Sequence, residues 1–200
     1  MHPVDKAFER SGIKNISKGS IHIVRYADDM VILAQKNLEK GIEILECYVE
    51  RLGLKLNKEK SRRINLKEDK KVEFLGFQFH RVQSRKTKKR LILVSPSPKS
   101  QKRCRDQIRK LISHKIPLKV QDQIRNVNKF LIGWTSYYRL GNVSRVLNKI
   151  CSHVMKRVRR LLQRNKGRKG YGWKRISNGE IYQRYGLFYN YKVQGLKPNV

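Results

Sequence analysis

Short apolar runs in the first half of the chain predict β-strands. Residues 21–26 and 30–34 are rich in β-branched side chains and flank the tripeptide Ala27-Asp28-Asp29. Runs of this length and composition are typical of buried strands. The pattern therefore predicts a hairpin with the tripeptide at its tip.

A second strand pattern occupies residues 72–79, which are rich in phenylalanine. Gly76 in the middle of this run indicates a bulge or the close approach of another backbone. The basic segment 84–90 reads as a turn into the apolar run 91–94. Residues 72–94 are therefore predicted to form a second hairpin.

The first half also contains helical patterns. Residues 4–10 predict a short helix, and a longer helix is expected from the capping residue Asn37 to about Leu52, with Gly53 as its end. Its predicted apolar stripe consists of Leu38, Ile42, Leu45, Val49 and Leu52.

Three longer amphipathic patterns follow, over residues 98–113, 118–139 and 143–164. Ser97 is the predicted N-cap of the first helix, and Pro98 fits its first turn. Short connections favour antiparallel packing into a three-helix bundle. The residues predicted to face its core are Cys104, Ile108, Leu111 and Ile112, then Val120, Ile124, Val127, Leu131, Trp134 and Tyr138, then Val143, Leu147, Ile150, Val154, Val158 and Leu161.

Two sets of turn signals complete the predicted helical region. Gly141 and Asn142 are expected to end the second long helix and to begin the third. Ser177 and Glu180 have the spacing of a capping box, which predicts a last short helix reaching about Tyr185.

The charge of the chain is distributed very unevenly. The 200 residues carry a net charge of +33, but residues 1–80 hold 16 Lys and Arg against 12 Asp and Glu. Residues 81–200 hold 32 Lys and Arg against 3 Asp and Glu, a net +29. A charge of this size implies a polyanionic partner such as nucleic acid.

The cysteines indicate no disulfide framework or zinc site. Cys47, Cys104 and Cys151 are far apart, no CxxC pair occurs, and the histidines are equally scattered.

The first residues include no apolar signal segment, and no apolar run reaches membrane-spanning length. We therefore expect a cytoplasmic protein with no membrane partner.

The acids at the tip of the first hairpin are the main candidates for chemistry. Neighbouring side chains in a straight strand point to opposite faces, so Asp28 and Asp29 can converge only where the chain turns. Oxygen ligands of this kind bind hard cations such as Mg²⁺, and two such ions can drive in-line displacement at phosphorus. The alternative is an ordinary acidic turn.

The candidates for nucleic-acid binding lie in the basic half. On the third long helix, the face opposite the apolar stripe carries Lys149, Lys156, Arg157, Arg159, Arg160 and Arg164. Residues 165–175 then combine glycines and cations with Tyr171 and Trp173, which could contact phosphates and stack on bases. The alternative is a flexible solvated loop whose aromatic rings pack back on the bundle.

The order of these motifs resembles that of the reverse transcriptases/maturases encoded by bacterial group II introns. The matching segments are RYADDMVILA at 25–34, LGLKLNKEKS at 52–61, FLGFQF at 74–79, SPKSQKRCRDQIRKL at 97–111, FLIGWTSYYRLGN at 130–142 and YGWKRIS at 171–177. This resemblance implies an α+β fold, with part of a reverse-transcriptase palm over residues 1–95. A helical, RNA-binding thumb over residues 96–200 would follow.

The resemblance also implies roles for individual residues. Asp28 would coordinate catalytic Mg²⁺ and Asp29 would support the site, while Tyr26, Ala27 and Gly76 would lie near the primer end or the incoming nucleotide. The residues expected to contact RNA are Lys60, Arg157, Arg159, Arg160, Arg164, Lys166, Arg168, Lys169, Tyr171 and Trp173.

The implied activity is that of an RNA-directed DNA polymerase, which extends a DNA primer on an RNA template with deoxynucleoside triphosphates. The implied partners are group II intron RNA and the template–primer duplex, with binding to the intron aiding splicing and mobility. The fingers and a third metal-binding aspartate of the family would precede Met1, and Asp5 and Glu9 do not match that motif. We therefore expect a C-terminal fragment. A truncated gene, a split subunit with its N-terminal half supplied in trans, and a partial record of a longer chain are the alternatives that the sequence leaves open.

Whether this chain alone is an enzyme stays open at this point. A non-catalytic, maturase-like splicing factor that binds RNA would fit the same motifs. A ribosomal or DNA-binding basic protein would explain the charge, but it would leave the acidic hairpin unexplained.

Overall fold

Residues 21–68, 70–85 and 87–193 are described in a computed structural model of the chain. They form small antiparallel sheets and helices, which confirms the predicted α+β class. The chain divides into two compact units, Met1–Ile64 and Asn65–Val200. The helix predicted at 4–10 lies outside the described residues.

The first unit contains one hairpin and one helix. Its elements are β1 (Ile21–Tyr26), β2 (Asp29–Ala34) and α1 (Leu38–Arg51). Alternate residues of the hairpin pack on α1, around a core of Ile21, Leu45 and Val49. On the other face Val24 and Leu33 are 45% and 47% exposed, so the strands are covered on one side and are not the buried strands that were predicted.

The packing face of α1 differs from the predicted stripe. Gly41 is buried in this helix, and a Cβ atom there would lie 3.1 Å from Cγ2 of Ile21. Ile44 and Tyr48 pack on the core, whereas Leu52 is 39% exposed. Because Gly41 lets β1 approach α1 closely, the buried face of α1 includes Gly41, Leu45 and Val49 and does not include Leu52.

The two ends of α1 fall where the sequence predicted them. Gly53 follows the helix with φ +67°, a conformation that favours glycine. Asn37 precedes the helix, but its side chain makes no capping hydrogen bond. Asn37 itself has φ 56°, rather than the extended backbone that normally aims an N-cap side chain at the first turn.

The second unit begins with a three-stranded antiparallel meander. Its strands are β3 (Lys71–Phe74), β4 (Phe77–Gln83) and β5 (Arg90–Pro96), hydrogen-bonded in that order. The single strand predicted over 72–79 is wrong, because Leu75 and Gly76 form a two-residue turn with φ 50° and 78°. Positive φ at both positions is what a tight hairpin of this length favours.

The helical bundle follows the meander. Its helices are α2 (Pro98–Leu111), α3 (Val120–Tyr138) and α4 (Ser144–Asn165), followed by the short α5 (Asn178–Gln183). The three long helices pack on one another, as predicted, around buried residues that include Ile108, Leu131 and Val154. None of the described helices combines the length and apolar character needed to cross a membrane.

The predicted caps of α2 and α5 are confirmed. The Ser97 hydroxyl accepts a hydrogen bond of 3.2 Å from the backbone N–H of Ser100. The Ser177 hydroxyl accepts one of 3.0 Å from the backbone N–H of Glu180. In both helices a side-chain oxygen satisfies an N–H group that has no partner within the helix.

Asn142 has a different role from the predicted cap of α4. Its backbone N–H donates to the carbonyl of Val94 at 2.8 Å, and its side-chain oxygen accepts from the Val94 N–H at 3.4 Å. A Cβ atom at Gly141 would lie 2.6 Å from the same carbonyl oxygen. The connection between α3 and α4 is therefore attached to β5, and glycine is required for that close approach.

Candidate functional site

The acidic hairpin turns at Ala27 and Asp28. Ala27 has φ 50°, and its carbonyl accepts a hydrogen bond of 3.1 Å from the guanidinium of Arg25. Asp28 lies in the turn and Asp29 is the first residue of β2, and both are exposed. The two predicted acids are therefore adjacent at an exposed hairpin tip.

Tyr26 lies beside these acids. It pairs directly with Asp29 across the two strands and is 65% exposed. Directly paired residues share a face of the sheet, and the alternation places this pair on the face opposite α1, with Val24 and Leu33. That face offers an aromatic ring, apolar side chains and a carboxylate to a bound molecule.

The described residues fit part of a magnesium site. Mg²⁺ is commonly bound by one or two carboxylates together with waters and substrate phosphates. Asp28 and Asp29 could supply those carboxylates. Across the described part of the chain, no group of three or more His, Cys, Asp or Glu residues could hold a metal ion. A full set of ligands for two ions is therefore not assembled by these residues.

Gly76 lies in the turn between β3 and β4 and contacts α2 and α3. The sequence analysis placed it near the primer or the nucleotide. Its carbonyl accepts hydrogen bonds from the backbone N–H of Ser97 at 2.8 Å and from the Ser100 hydroxyl at 2.9 Å. A Cβ atom at Gly76 would lie 2.5 Å from the Tyr138 hydroxyl oxygen. The turn therefore packs so closely on α2 and α3 that a side chain cannot be added without a shift.

Tyr137 is a contact to this turn that the sequence analysis missed. Its hydroxyl donates a hydrogen bond of 3.0 Å to the Leu75 carbonyl, and its ring centroid lies 5.4 Å from that of Phe77. Tyr137 is 51% exposed, because Tyr138 occupies the buried stripe of α3. The sequence could have indicated a role for Tyr137. Tyr137 and Tyr138 are adjacent, and only one of two adjacent residues can lie on the buried stripe of a helix.

Exposed cations lie along α4 and in the loop after it. They include Lys149, Lys156, Arg160 and Arg164 on the helix, and Lys166, Arg168 and Lys169 in the loop. Lys60 is also exposed, in a turn of the first unit. These side chains are accessible to the phosphate groups of a nucleic acid.

Arg159 is an exception to the predicted basic face, because it is only 2% exposed. Its guanidinium donates to the backbone carbonyl of Ile176 and, at 2.6 Å, to the side-chain oxygen of Asn178. Burial lowers the pKa of Arg159, while Glu180 and Tyr182 act in the opposite direction. This arginine joins α4 to the start of α5, and it does not reach the surface as an RNA-binding residue would.

The sequence left open whether Tyr171 and Trp173 are available to stack on bases or pack back on the helical bundle. The structure shows both features. The Arg159 guanidinium carbon lies 4.5 Å from the centroid of the Trp173 ring, and the rings of Tyr171 and Trp173 are 6.1 Å apart. Trp173 is nevertheless 55% exposed and Tyr171 39% exposed. The rings are anchored on the bundle and still offer an open surface.

Two family models match the chain. The model for reverse transcriptase (RNA-dependent DNA polymerase) matches residues 1–79. The model for the group II intron maturase-specific domain matches residues 101–179. No curated protein matches the chain. With one model on the acidic hairpin and the other on the basic helices, the chain belongs to the reverse transcriptases/maturases of group II introns.

Proposed function

We propose that this protein binds folded group II intron RNA through residues 96–200 and thereby assists splicing and mobility of the intron in the cytoplasm. Residues 1–95 form, in this proposal, part of a palm that contributes to RNA-directed DNA synthesis. The observation that carries the proposal is the net +29 of residues 81–200, whose cations cluster on α4 and the loop that follows.

The charge predicts how binding responds to salt. Each phosphate contact releases condensed counterions, so about 6–10 contacts imply a loss of about 10³–10⁵ in affinity between 50 and 200 mM salt on a duplex. Charge alone would bind any nucleic acid equally well. A maturase must in addition prefer its folded intron.

A competition titration at fixed salt tests this preference. The labelled RNA is a group II intron, and the competitor is an unrelated RNA of the same length. We expect the intron to bind more tightly. Equal affinities would leave a generic polycation and would contradict the maturase part of the proposal.

The exposed rings contribute to this preference, because single-stranded bases in folded RNA stack on aromatic side chains. Tyr171→Ala is expected to reduce the preference for intron RNA while leaving the salt dependence unchanged. Tyr189→Ala is the matched control, since Tyr189 is 72% exposed and lies outside the loop. Equal effects of the two substitutions would remove Tyr171 from the interface. Trp173 is less suitable for substitution because its ring packs under Arg159.

The polymerase part of the proposal rests on the acidic hairpin. Asp28 is the proposed Mg²⁺ ligand and Asp29 supports it, while Tyr26, Ala27 and Gly76 contact the primer end or the incoming deoxynucleoside triphosphate. Bound Mg²⁺ would supply positive charge to the reacting phosphate and to the attacking 3′-hydroxyl. The adjacent Tyr26 ring gives the nucleotide or primer a surface to stack on.

Among the described residues the two carboxylates do not complete a two-metal site, and we therefore propose that the purified chain is inactive on a primed RNA template. A separately produced N-terminal region of a relative should restore extension. In that mixture Asp28→Ala should abolish extension and leave RNA binding intact. Glu46→Ala is the control, because Glu46 is an exposed acid on α1. Extension by the isolated chain, or by the Asp28→Ala mixture, would contradict this part.

A second candidate function is a splicing factor that binds intron RNA without catalysis. It is favoured by the incomplete carboxylate set among the described residues. Its test is a splicing assay with the Asp28→Ala/Asp29→Ala variant. Full splicing assistance by this variant, together with no extension by the unaltered chain in any mixture, would support the non-catalytic role.

A further inference from the structure

A cavity of about 230 Å³ lies between the C-terminal end of α2 and the second half of α4. Its walls come from residues 112–115 and from Arg157, Arg160 and Leu161. Lys115 and Arg160 are exposed, whereas Arg157 is half-buried. The cavity is therefore open to solvent and has basic side chains on both sides.

The positive charge of this cavity is not neutralised by the acids of the helical region. Residues 81–200 contain three acids, Asp106, Asp122 and Glu180. Each forms an ion pair with an arginine three or four residues further along the chain: Asp106 with Arg109, Asp122 with Arg125, and Glu180 with Arg184. None of these pairs includes a cation that lines the cavity.

Arg157 supplies a donor without an acceptor. Its Nη2 atom donates to the Ile112 carbonyl at 2.5 Å, which fixes the guanidinium against the end of α2. Its Nε atom is buried and has no hydrogen-bond partner among the described residues. Buried donors in proteins nearly always have a partner, so this donor is available to an acceptor bound against Arg157.

The surroundings of Arg157 disfavour its positive charge. Burial lowers the pKa of Arg157, and the charges of Arg160 and Arg109 lower it further, with Tyr171 acting in the opposite direction. A bound anion would offset the repulsion between these cations and accept from the free donor. A phosphate group meets both requirements, because it is anionic and carries several acceptor oxygens.

We propose that this cavity is a pocket for a single backbone phosphate of the RNA bound by the helical region. Its volume is below the roughly 300–1,000 Å³ of typical small-molecule sites. It has room for a phosphate group and a few waters at about 30 Å³ each. His114 and Lys115 complete the pocket from the α2 side. The proposal rests on the proposed RNA-binding function and assigns one contact within it.

A purely structural role would explain only part of this arrangement. An arginine that bonds the last carbonyls of a helix is a common C-terminal cap, and Arg157 does this for α2. A cap has no need of Lys115 and Arg160, which lie on the same cavity.

The first test compares two double variants that remove the same charge from the full chain. Lys115→Ala/Arg160→Ala should weaken binding of a group II intron RNA by about tenfold or more, because charge-assisted bonds in a formed pocket are lost. Lys149→Ala/Lys156→Ala removes two exposed cations from the same basic face and should cost about threefold or less.

The second test uses inorganic phosphate as the probe. In ¹⁵N spectra the Nε–H signal of Arg157, assigned through its loss in Arg157→Lys, should shift with phosphate more than with chloride at equal ionic strength. The shift should disappear in Lys115→Ala/Arg160→Ala.

The outcomes separate the pocket from the proposed function. Failure of the unaltered chain to bind RNA would overturn the proposed function and with it the RNA occupant. Normal RNA binding by the unaltered chain, with equal weakening in both double variants, would overturn the pocket alone. An Arg157 signal that does not respond to phosphate would also overturn the pocket.

Discussion

The Tyr137 hydroxyl of α3 donates a hydrogen bond of 3.0 Å to the backbone carbonyl of Leu75, in the turn between β3 and β4. At the start of α2, the backbone N–H of Ser97 and the hydroxyl of Ser100 donate hydrogen bonds to the carbonyl of the neighbouring Gly76. The turn that resembles the family's primer-holding segment is therefore fixed by the maturase-type helices. These bonds tie the position of the turn to the start of α2 and the end of α3.

Replacement of Tyr137 by Phe removes one of these bonds and keeps the ring. The free energy of unfolding should fall by about 0.5–1.5 kcal/mol, at the lower end because the residue is half exposed. Urea unfolding measures the change. Tyr189→Phe is the control and should be neutral, because the contact of Tyr189 with the Tyr182 ring survives the substitution. Equal stability of the two variants would show that the Leu75 bond contributes nothing.

Replacement of Gly76 by Ala tests the close approach at the same turn. Any Ala with positive φ costs about 1–2 kcal/mol, and here its Cβ would also lie 2.5 Å from the Tyr138 hydroxyl oxygen. Overpacking should add about 1–3 kcal/mol.

Gly186→Ala is the matched control for Gly76→Ala. Gly186 has φ +65° but has open space around its Cβ position, so it should show only the backbone cost. The difference between the two variants in urea unfolding gives the cost of the contact. A difference of zero would show that Tyr138 moves away freely.

Arg159 and Arg160 are neighbours that should respond in opposite ways to Ala substitution. Arg159→Ala removes buried bonds to Ile176 and Asn178 and should lower stability by at least about 1.5–3 kcal/mol. Arg160→Ala should leave stability within about 0.5 kcal/mol and weaken RNA binding. Thermal unfolding and an RNA titration on both variants separate the two roles. A stable Arg159→Ala protein with reduced RNA affinity would contradict this assignment.

His153 makes the stability of the protein depend on pH. Burial lowers its pKa below the ordinary 6.5, and the charges of Arg109, Arg157 and Arg105 lower it further. The unfolded chain therefore takes up a proton at a higher pH than the folded chain does. Stability from this residue is complete above about pH 6.5 and is lost as the pH falls toward the lowered value.

The measurement is urea unfolding at pH 7.5 and pH 5.0 for the unaltered chain and for His153→Gln. The substitution should make the loss of stability at pH 5.0 smaller. His114→Gln is the control, because His114 is exposed on the loop after α2. An identical pH dependence in the unaltered chain and His153→Gln would exclude His153 as the cause.

The sequence by itself determined the features that arise from local periodicity and local capping. The stripe from Val120 to Tyr138 specified α3, because apolar residues every three or four positions form one face of a helix. The acidic tip between two β-branched runs specified the first hairpin, and its motif pointed to the family that the comparisons show. Ser97 and Ser177 specified helix starts because a cap acts within three residues.

Tertiary structure alone decided the partners of residues that are distant in sequence. Arg159 belongs to a basic segment and is buried, because its acceptors at Ile176 and Asn178 come from the chain beyond α4. Asn142 has the composition of a cap but binds Val94, 48 residues away. The phosphate pocket likewise needs the end of α2 beside α4. Periodicity shows which face of an element is apolar, whereas hydrogen-bond partners depend on which elements the folded chain brings together.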